Sequence, residues 1–359
     1  MSIDTVLKTV TGTAIALVTF STLPANAASH YNSLFVFGDS VSDTGNTFNL
    51  VGFPPAPFYA NSRYTNGSIW IDYLGDSLGV NPTNYTSLPP NSAIPTQGVN
   101  FATGGATSGR DNLGDPLFPG VNLPGLGEQI DQYNDLLGGR SANPDALYVV
   151  LAGSNDYIRL FSSPTPPSDL PGQIAQTVGN VSSALATLAQ SGARNVLVAN
   201  LPNLGDLPVG TPQQAALNQL TGAHNAALAQ SIAGLKQQFS GTNFISLDIN
   251  SLFQTVRNDP ASFGFANATD NCTGIDFPFI DPATDISGAI ACNTALAANP
   301  KAFLFYDNQH PTTEGHRLIA NAAVDVLEAK SVPESSLVSA LGLLGLLAVG
   351  GALRKNNLR

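Results

Sequence analysis

LFVFGDS, residues 34–40, sets four apolar side chains, Leu34 to Phe37, directly against Gly38-Asp39-Ser40. A short apolar run with β-branched and aromatic members, stopped by a glycine turn, reads as a buried strand. A serine hydroxyl leaving that strand on a turn Gly38 can make without Cβ strain stands where a nucleophile is presented. Similar runs recur at 99–102, 147–151, 195–199, 244–247 and 302–305, with helical apolar spacing between them at 69–78, 126–137, 173–190, 213–239 and 314–329. Strands alternating with helices imply an α/β domain whose parallel sheet is covered on both faces. Long stretches rich in Pro, Gly or Asn at 54–66, 87–95, 110–124, 162–171 and 259–301 are loops that decorate this doubly wound core. Ligands in such folds collect beyond the carboxyl ends of the strands, where the winding changes direction. The chemistry is therefore sought at strand ends.

A serine is a weak nucleophile until a base lies within hydrogen-bond reach, itself held in one tautomer by a third group. Asp307-Asn308-Gln309-His310 follows the run at 302–305 and offers both partners within one local loop, which Pro311 then stiffens. Negative charge developing on a substrate oxygen needs prepaid donors. Gly104-Gly105 follows one strand and Gly153-Ser154-Asn155 another. The first offers a bare backbone amide and the second a side-chain amide, which with the Ser40 amide make three donors. Each of these motifs alone is an ordinary turn or cap. Four in order, each at a strand end, point to Ser40, Asp307 and His310 as a catalytic triad, with the Ser40 amide, the Gly104-Gly105 pair and Asn155 as its oxyanion donors.

At these residues a family likeness emerges. FGDSVSDTGN (37–46) resembles the first sequence block of the GDSL esterases and lipases, GVNFATGGATS (98–108) the second, LAGSNDY (151–157) the third and FYDNQHPTTEGH (305–316) the fifth. Ser40, Gly105, Asn155 and His310 match the four residues that give SGNH hydrolases their name, and Asp307 matches the Asp that precedes the family's His. RYTNGSIWIDYLGDSLG (63–79) is similar to a further family region and its helix, and Val41 stands where the family usually has Leu. The likeness runs over roughly residues 34–330. It implies a flavodoxin-like three-layer α/β/α sandwich with a five-stranded parallel sheet, and hydrolysis of carboxylic esters without a cofactor. The acyl ester could belong to a lipid or to an acetylated glycan, and a dead hydrolase scaffold serving as a surface binding protein is the reading from another class.

Composition sets the remaining bounds. The chain carries 14 basic and 25 acidic side chains in 359 residues, and four of the basic ones, Lys8, Arg354, Lys355 and Arg359, lie in its ends. The acidic body is thus a poor partner for nucleic acid or an anionic membrane surface. Residues 1–27 join Lys8, an apolar run and Ala25-Asn26-Ala27, the small-residue spacing of a signal-peptidase site, so export is expected with Ala28 as the new terminus. Residues 28–331 suffice for one large hydrolase domain. Residues 332–359 place Val332-Pro333-Glu334-Ser335 before an apolar stretch at 337–353 and a basic end. This tail resembles the PEP-CTERM sorting signals of exported bacterial proteins, with Ser335 in place of the motif's second proline. Membrane attachment through the tail and a processing protease are the partners it implies, a plain membrane anchor being the alternative. Cys272 and Cys292 are the only cysteines, and in an exported chain they most simply form a disulfide across an irregular segment. No further Cys or His stands at zinc-ligand spacing beside them.

Other residues have plainer readings. Asp39 and Asp43 suggest a metal site with Asp307, yet acidic residues beside a serine turn more often brace backbone amides. Asp156 is expected to be a local brace, His316 a packing or supporting residue, His224 packed or solvent-facing, and His30 without a role. Phe53, Phe58, Tyr59, Tyr64 and Trp70 line an acyl pocket or belong to the core.

Overall fold

The computed structural model describes residues 31–161, 169–275 and 287–331. The expected signal segment, the tail from residue 332 and His30 lie outside them. Along the chain run β1 (Ser33–Gly38), α1 (Asn46–Val51), α2 (Trp70–Leu78), β2 (Thr83–Asn84), β3 (Val99–Asn100), α3 (Leu126–Leu137), β4 (Ala146–Leu151), α4 (Ser154–Phe161) and α5 (Leu170–Ser191). They are followed by β5 (Asn195–Ala199), α6 (Gln214–Gln238), β6 (Asn243–Leu247), α7 (Ile249–Asn258), β7 (Asn267–Asn271), α8 (Ser287–Ala298), β8 (Phe303–Phe305) and α9 (Thr313–Ser331). No helix among the described residues is long and apolar enough to cross a membrane.

The main sheet is parallel, in the order β2-β3-β1-β4-β5-β6. Its longer inner strands, β1, β4 and β5, are largely apolar because both faces are covered. From Leu34 and Val36 the side chains meet Leu147, Val149 and Leu151 on one face, where α2, α7 and α9 contribute Trp70, Phe253 and Ile319. From Phe35 and Phe37 they meet Tyr148 and Val150 on the other, where α3 and α5 contribute Tyr133 and Leu185. Alternate residues of one strand thus feed two cores, and the result is a three-layer α/β/α sandwich.

Two strand expectations are corrected. The sheet has six strands rather than five: the additional β2 is a two-residue, half-buried edge strand made of Thr83 and Asn84, with no apolar run to announce it. The run at 302–305 does form a strand, but β8 pairs with β7 in a separate two-stranded sheet. Without the β2 edge, the order β3-β1-β4-β5-β6 is the flavodoxin-like one, whose winding reverses between β1 and β4.

That reversal places the ends of β1 and β4 side by side, with Gly38 paired to Leu151. Approach is so close that a Cβ on Gly38 would stand 2.2 Å from the Leu151 carbonyl oxygen, and Gly38 has φ 151°. Gln129 of α3, fully buried, receives the Gly38 N–H and donates to the Gly38 carbonyl, both at 2.8 Å. The turn that presents Ser40 is therefore clamped from the helical layer.

Candidate active site

Ser40 stands just past β1 and is 7% exposed. Its Oγ lies 2.8 Å from His310 Nε2, and His310 Nδ1 lies 2.7 Å from Asp307 Oδ2 and 2.9 Å from Oδ1. The His and Asp come from the loop after β8, closed by a bridge between Phe305 and Pro311 and by the Tyr306 N–H donating to the His310 carbonyl at 2.8 Å. Asp307 is fully buried and acts as a local hub. Its Oδ1 accepts the backbone N–H of Gln309 at 2.8 Å and of His310 at 2.7 Å, while Oδ2 accepts the Tyr59 hydroxyl at 2.7 Å. Burial pushes the Tyr59 phenol well up and the Asp307 charge adds to it, so Tyr59 remains a donor. The Tyr64 ring packs beside the imidazole with centroids 5.3 Å apart.

The loop after Ser40 is tied to the loop after β3 by Asp43. This buried carboxylate accepts the amides of Gly45, Asn46 and Thr47, the Thr47 hydroxyl and the amide of Gly104. Burial raises Asp43 against the pull of those donors. Thr47 Oγ1 also accepts from the Gly104 amide, at 2.7 Å. Gly104 is thereby committed, whereas the amides of Ser40 and Gly105 meet no hydrogen-bond acceptor among the described residues. Gly105 has φ 78°, and a Cβ there would stand 2.4 Å from the Asn112 Oδ1. Asn155, in the first turn of α4, spends one side-chain N–H on the Ala106 carbonyl at 2.9 Å. Its neighbour Asp156 accepts from the amide and hydroxyl of Ser108 at 2.8 and 2.7 Å, a brace between α4 and the same loop.

Ser40, Asn155 and His310 line one open depression, together with Asp39 and the apolar Val41, Ile158 and Phe253. Gly105 lines a second, and Gln309 borders both. Asp39 is buried and its Oδ1 accepts the Val41 amide at 3.1 Å; burial lifts its carboxyl to about 6. Asp39, Asp43 and Asp307 thus serve separate backbone sites, and no group of three His, Cys, Asp or Glu side chains suited to a metal occurs among the described residues. Cys272 and Cys292 are joined as a disulfide, with Cα atoms 5.3 Å apart. The Cys272 and Thr273 amides donate to the Tyr306 carbonyl at 3.1 and 3.0 Å, one residue before Asp307. Tyr59, Tyr306 and Cys292 share a small core, so this excursion backs the acid's loop.

His224 and His316 are both buried. His224 Nδ1 meets the Tyr157 hydroxyl at 2.7 Å, while His224 Nε2 and His316 Nδ1 have no hydrogen-bond partner among the described residues. Burial holds His224 down at about 4; burial, with His310 adding to it, holds His316 at about 3. The stability gained by keeping His316 neutral is complete above the unfolded value of 6.5 and is lost as pH falls toward 3. Asp39 acts in the opposite sense, because its folded value lies above the ordinary 3.8 and its burden is relieved as pH falls below 6. A paired comparison isolates the histidine. Between pH 7 and pH 5, the parent chain is expected to lose about 2 kcal/mol more stability in urea melts than His316→Gln, and equal losses would contradict it.

Among known proteins, Esterase EstA of Pseudomonas aeruginosa is 32% identical over 353 residues, covering 88% of this chain and 50% of that protein. The chain spans about half the length of the Pseudomonas relatives it matches. A GDSL esterase/lipase of Arabidopsis thaliana is 27% identical, with 80% of this chain and 87% of that protein covered. Among solved structures, the acetylxylan esterase Axe2 of Geobacillus stearothermophilus aligns with a TM-score of 0.41 at 13% identity, over 83% of this chain and 96% of that one. The family model described as GDSL-like Lipase/Acylhydrolase matches residues 34–323, from the strand that presents Ser40 into the helix behind His310. The chain belongs to the GDSL-like lipase/acylhydrolase family.

Proposed function

We propose that the chain is a serine hydrolase of carboxylic esters. The observation that carries this reading is the unbroken chain of contacts from Ser40 Oγ to His310 Nε2 at 2.8 Å and from His310 Nδ1 to Asp307 Oδ2 at 2.7 Å. Ser40 Oγ attacks the ester carbonyl carbon as His310 Nε2 takes its proton. Asp307 fixes the imidazole and stabilises the imidazolium that results. The oxyanion is received by the amides of Ser40 and Gly105 and by the second side-chain N–H of Asn155. When the tetrahedral intermediate collapses, the carbon–oxygen bond to the alcohol breaks and His310 returns the proton to the departing oxygen. Water, deprotonated by the same imidazole, then attacks the acyl-serine and frees the acid. Family membership and the esterase and lipase names of its relatives support the same reaction class.

Hydrolysis of p-nitrophenyl butyrate by the purified chain tests the reaction, and Tyr59→Phe tests the geometry. Removing one hydroxyl from a buried carboxylate is expected to lower kcat about tenfold with KM little changed. A Tyr59→Phe variant with parental kcat would show that Asp307 needs no help from Tyr59.

We place the reaction outside the cytoplasm. The leader-like residues 1–27 and the Cys272–Cys292 disulfide support this, since such bonds persist in oxidising compartments. Protein isolated from its host under alkylating conditions should gain no label until it is reduced, and then gain two; labelling before reduction would contradict it.

A further inference from the structure

The ester-hydrolase reading leaves the substrate open, and the surfaces on either side of Gln309 narrow it. One depression contains Ser40, Asn155 and His310 and continues over Val41, Ile158, Leu207, Ile249 and Phe253. The other begins at Gly105 and continues over Phe53, Leu113, Leu117, Phe118 and Leu123. An oxyanion held by Ser40, Gly105 and Asn155 touches residues of both. The scissile bond therefore sits at their junction, and one limb of the ester extends into each.

Their order follows from the proton. His310, which must protonate the leaving alcohol, lines the first depression and not the second. The alcohol leaves through the first, and the acyl limb, covalently held on Ser40, runs past Gly105 into the second. Most of both walls is apolar, and of the polar side chains beside them Thr47 Oγ1 is engaged with Asp43 and Gly104 and Asp39 Oδ1 with Val41. Sugar hydroxyls docked against these apolar stretches would lose water without gaining partners. An alkyl chain gains about fourfold in binding for each methylene it buries. We infer that the substrate is apolar on both sides of its ester, with a medium or long acyl chain lying in the Leu113–Leu123 depression, rather than an acetyl group on a glycan.

The test is the kcat/KM ratio of p-nitrophenyl octanoate to p-nitrophenyl acetate, with acetylated xylan as a third substrate and fluorophosphonate labelling recorded alongside. The parent chain should favour octanoate by at least about tenfold and leave acetylated xylan nearly untouched. Leu117, 53% exposed at the rim, can be changed without disturbing the core. Leu117→Asp should cut the ratio about tenfold, and Leu113→Trp, which fills the depression from its wall, should cut it further. Ile290→Asp, at an equally exposed apolar site on α8 outside both depressions, should leave the ratio unchanged. Parental preference for acetate or acetylated xylan would overturn the inference while leaving ester hydrolysis standing, as would rim variants that slow both esters equally. Absence of turnover and of label altogether would bring down the ester-hydrolase reading, and this one with it.

Discussion

Ser40→Ala is expected to lower kcat/KM for p-nitrophenyl esters by about 10⁵-fold, to a residue of activity set by binding and the oxyanion donors alone. The alanine removes the one atom proposed to form a bond to the substrate, and it leaves the fold intact, because the Gly38 turn is held by Gln129 and the following loop by Asp43. His310→Ala should cost about as much, and the double variant no more than either alone. On the proposed mechanism nucleophile and base work as one unit across the 2.8 Å contact, so the second loss has nothing left to remove. Additive losses would mean that the two residues act in separate steps. Steady-state rates for the two single variants and the double variant, with thermal melts to confirm folding, decide between these outcomes.

Asn155→Ala should cost about 10²- to 10³-fold in kcat, with KM held within a few-fold. The side chain is anchored by one N–H to the Ala106 carbonyl, and the helix turn that carries it is braced by Asp156 on Ser108. The second N–H is thus prepositioned, and on the proposed mechanism its contribution grows as charge develops on the substrate oxygen. Loss expressed in KM instead would indicate a ground-state contact. Asn155→Asp is expected to be at least as damaging, since it sets a negative charge against the oxyanion.

Much of this arrangement was legible in the sequence, for identifiable reasons. Strands buried on both faces, such as Leu34 to Phe37, appear as unbroken apolar runs, and α3 occupies the span its amphipathic spacing indicates. β2 gave no sign of itself because Thr83 and Asn84 pair only at an edge. β8 showed its strand character but not its sheet, because its partner β7 is Asn267-Ala268-Thr269-Asp270-Asn271, a string with turn composition. α7 was readable after the fact: Asp248 caps it, and Ile249, Phe253 and Val256 recur at helical spacing.

At the site, the strand-end motifs brought out Ser40, the Gly104-Gly105 pair, Asn155, Asp307 and His310 as candidates, because each of those positions is local to its strand. The supporting contacts are not local. Tyr59 reaches Asp307 across 248 residues and Gln129 reaches Gly38 across 91. The one available signal was a polar Gln129 within the Leu126, Ile130 and Tyr133 stripe of α3, a buried amide that needed partners. Between Gly104 and Gly105, composition is silent. The distinction comes from Asp43 and Thr47, which engage the amide of Gly104 and not that of Gly105.

The central claim is that Ser40 is a nucleophile activated by His310, and covalent trapping tests it most directly. A fluorophosphonate should label the parent chain once, with the adduct mapped by tandem mass spectrometry to Ser40, and His310→Ala should slow labelling by several orders of magnitude. Label on another residue, or labelling of Ser40 at parental rate in His310→Ala, would contradict it.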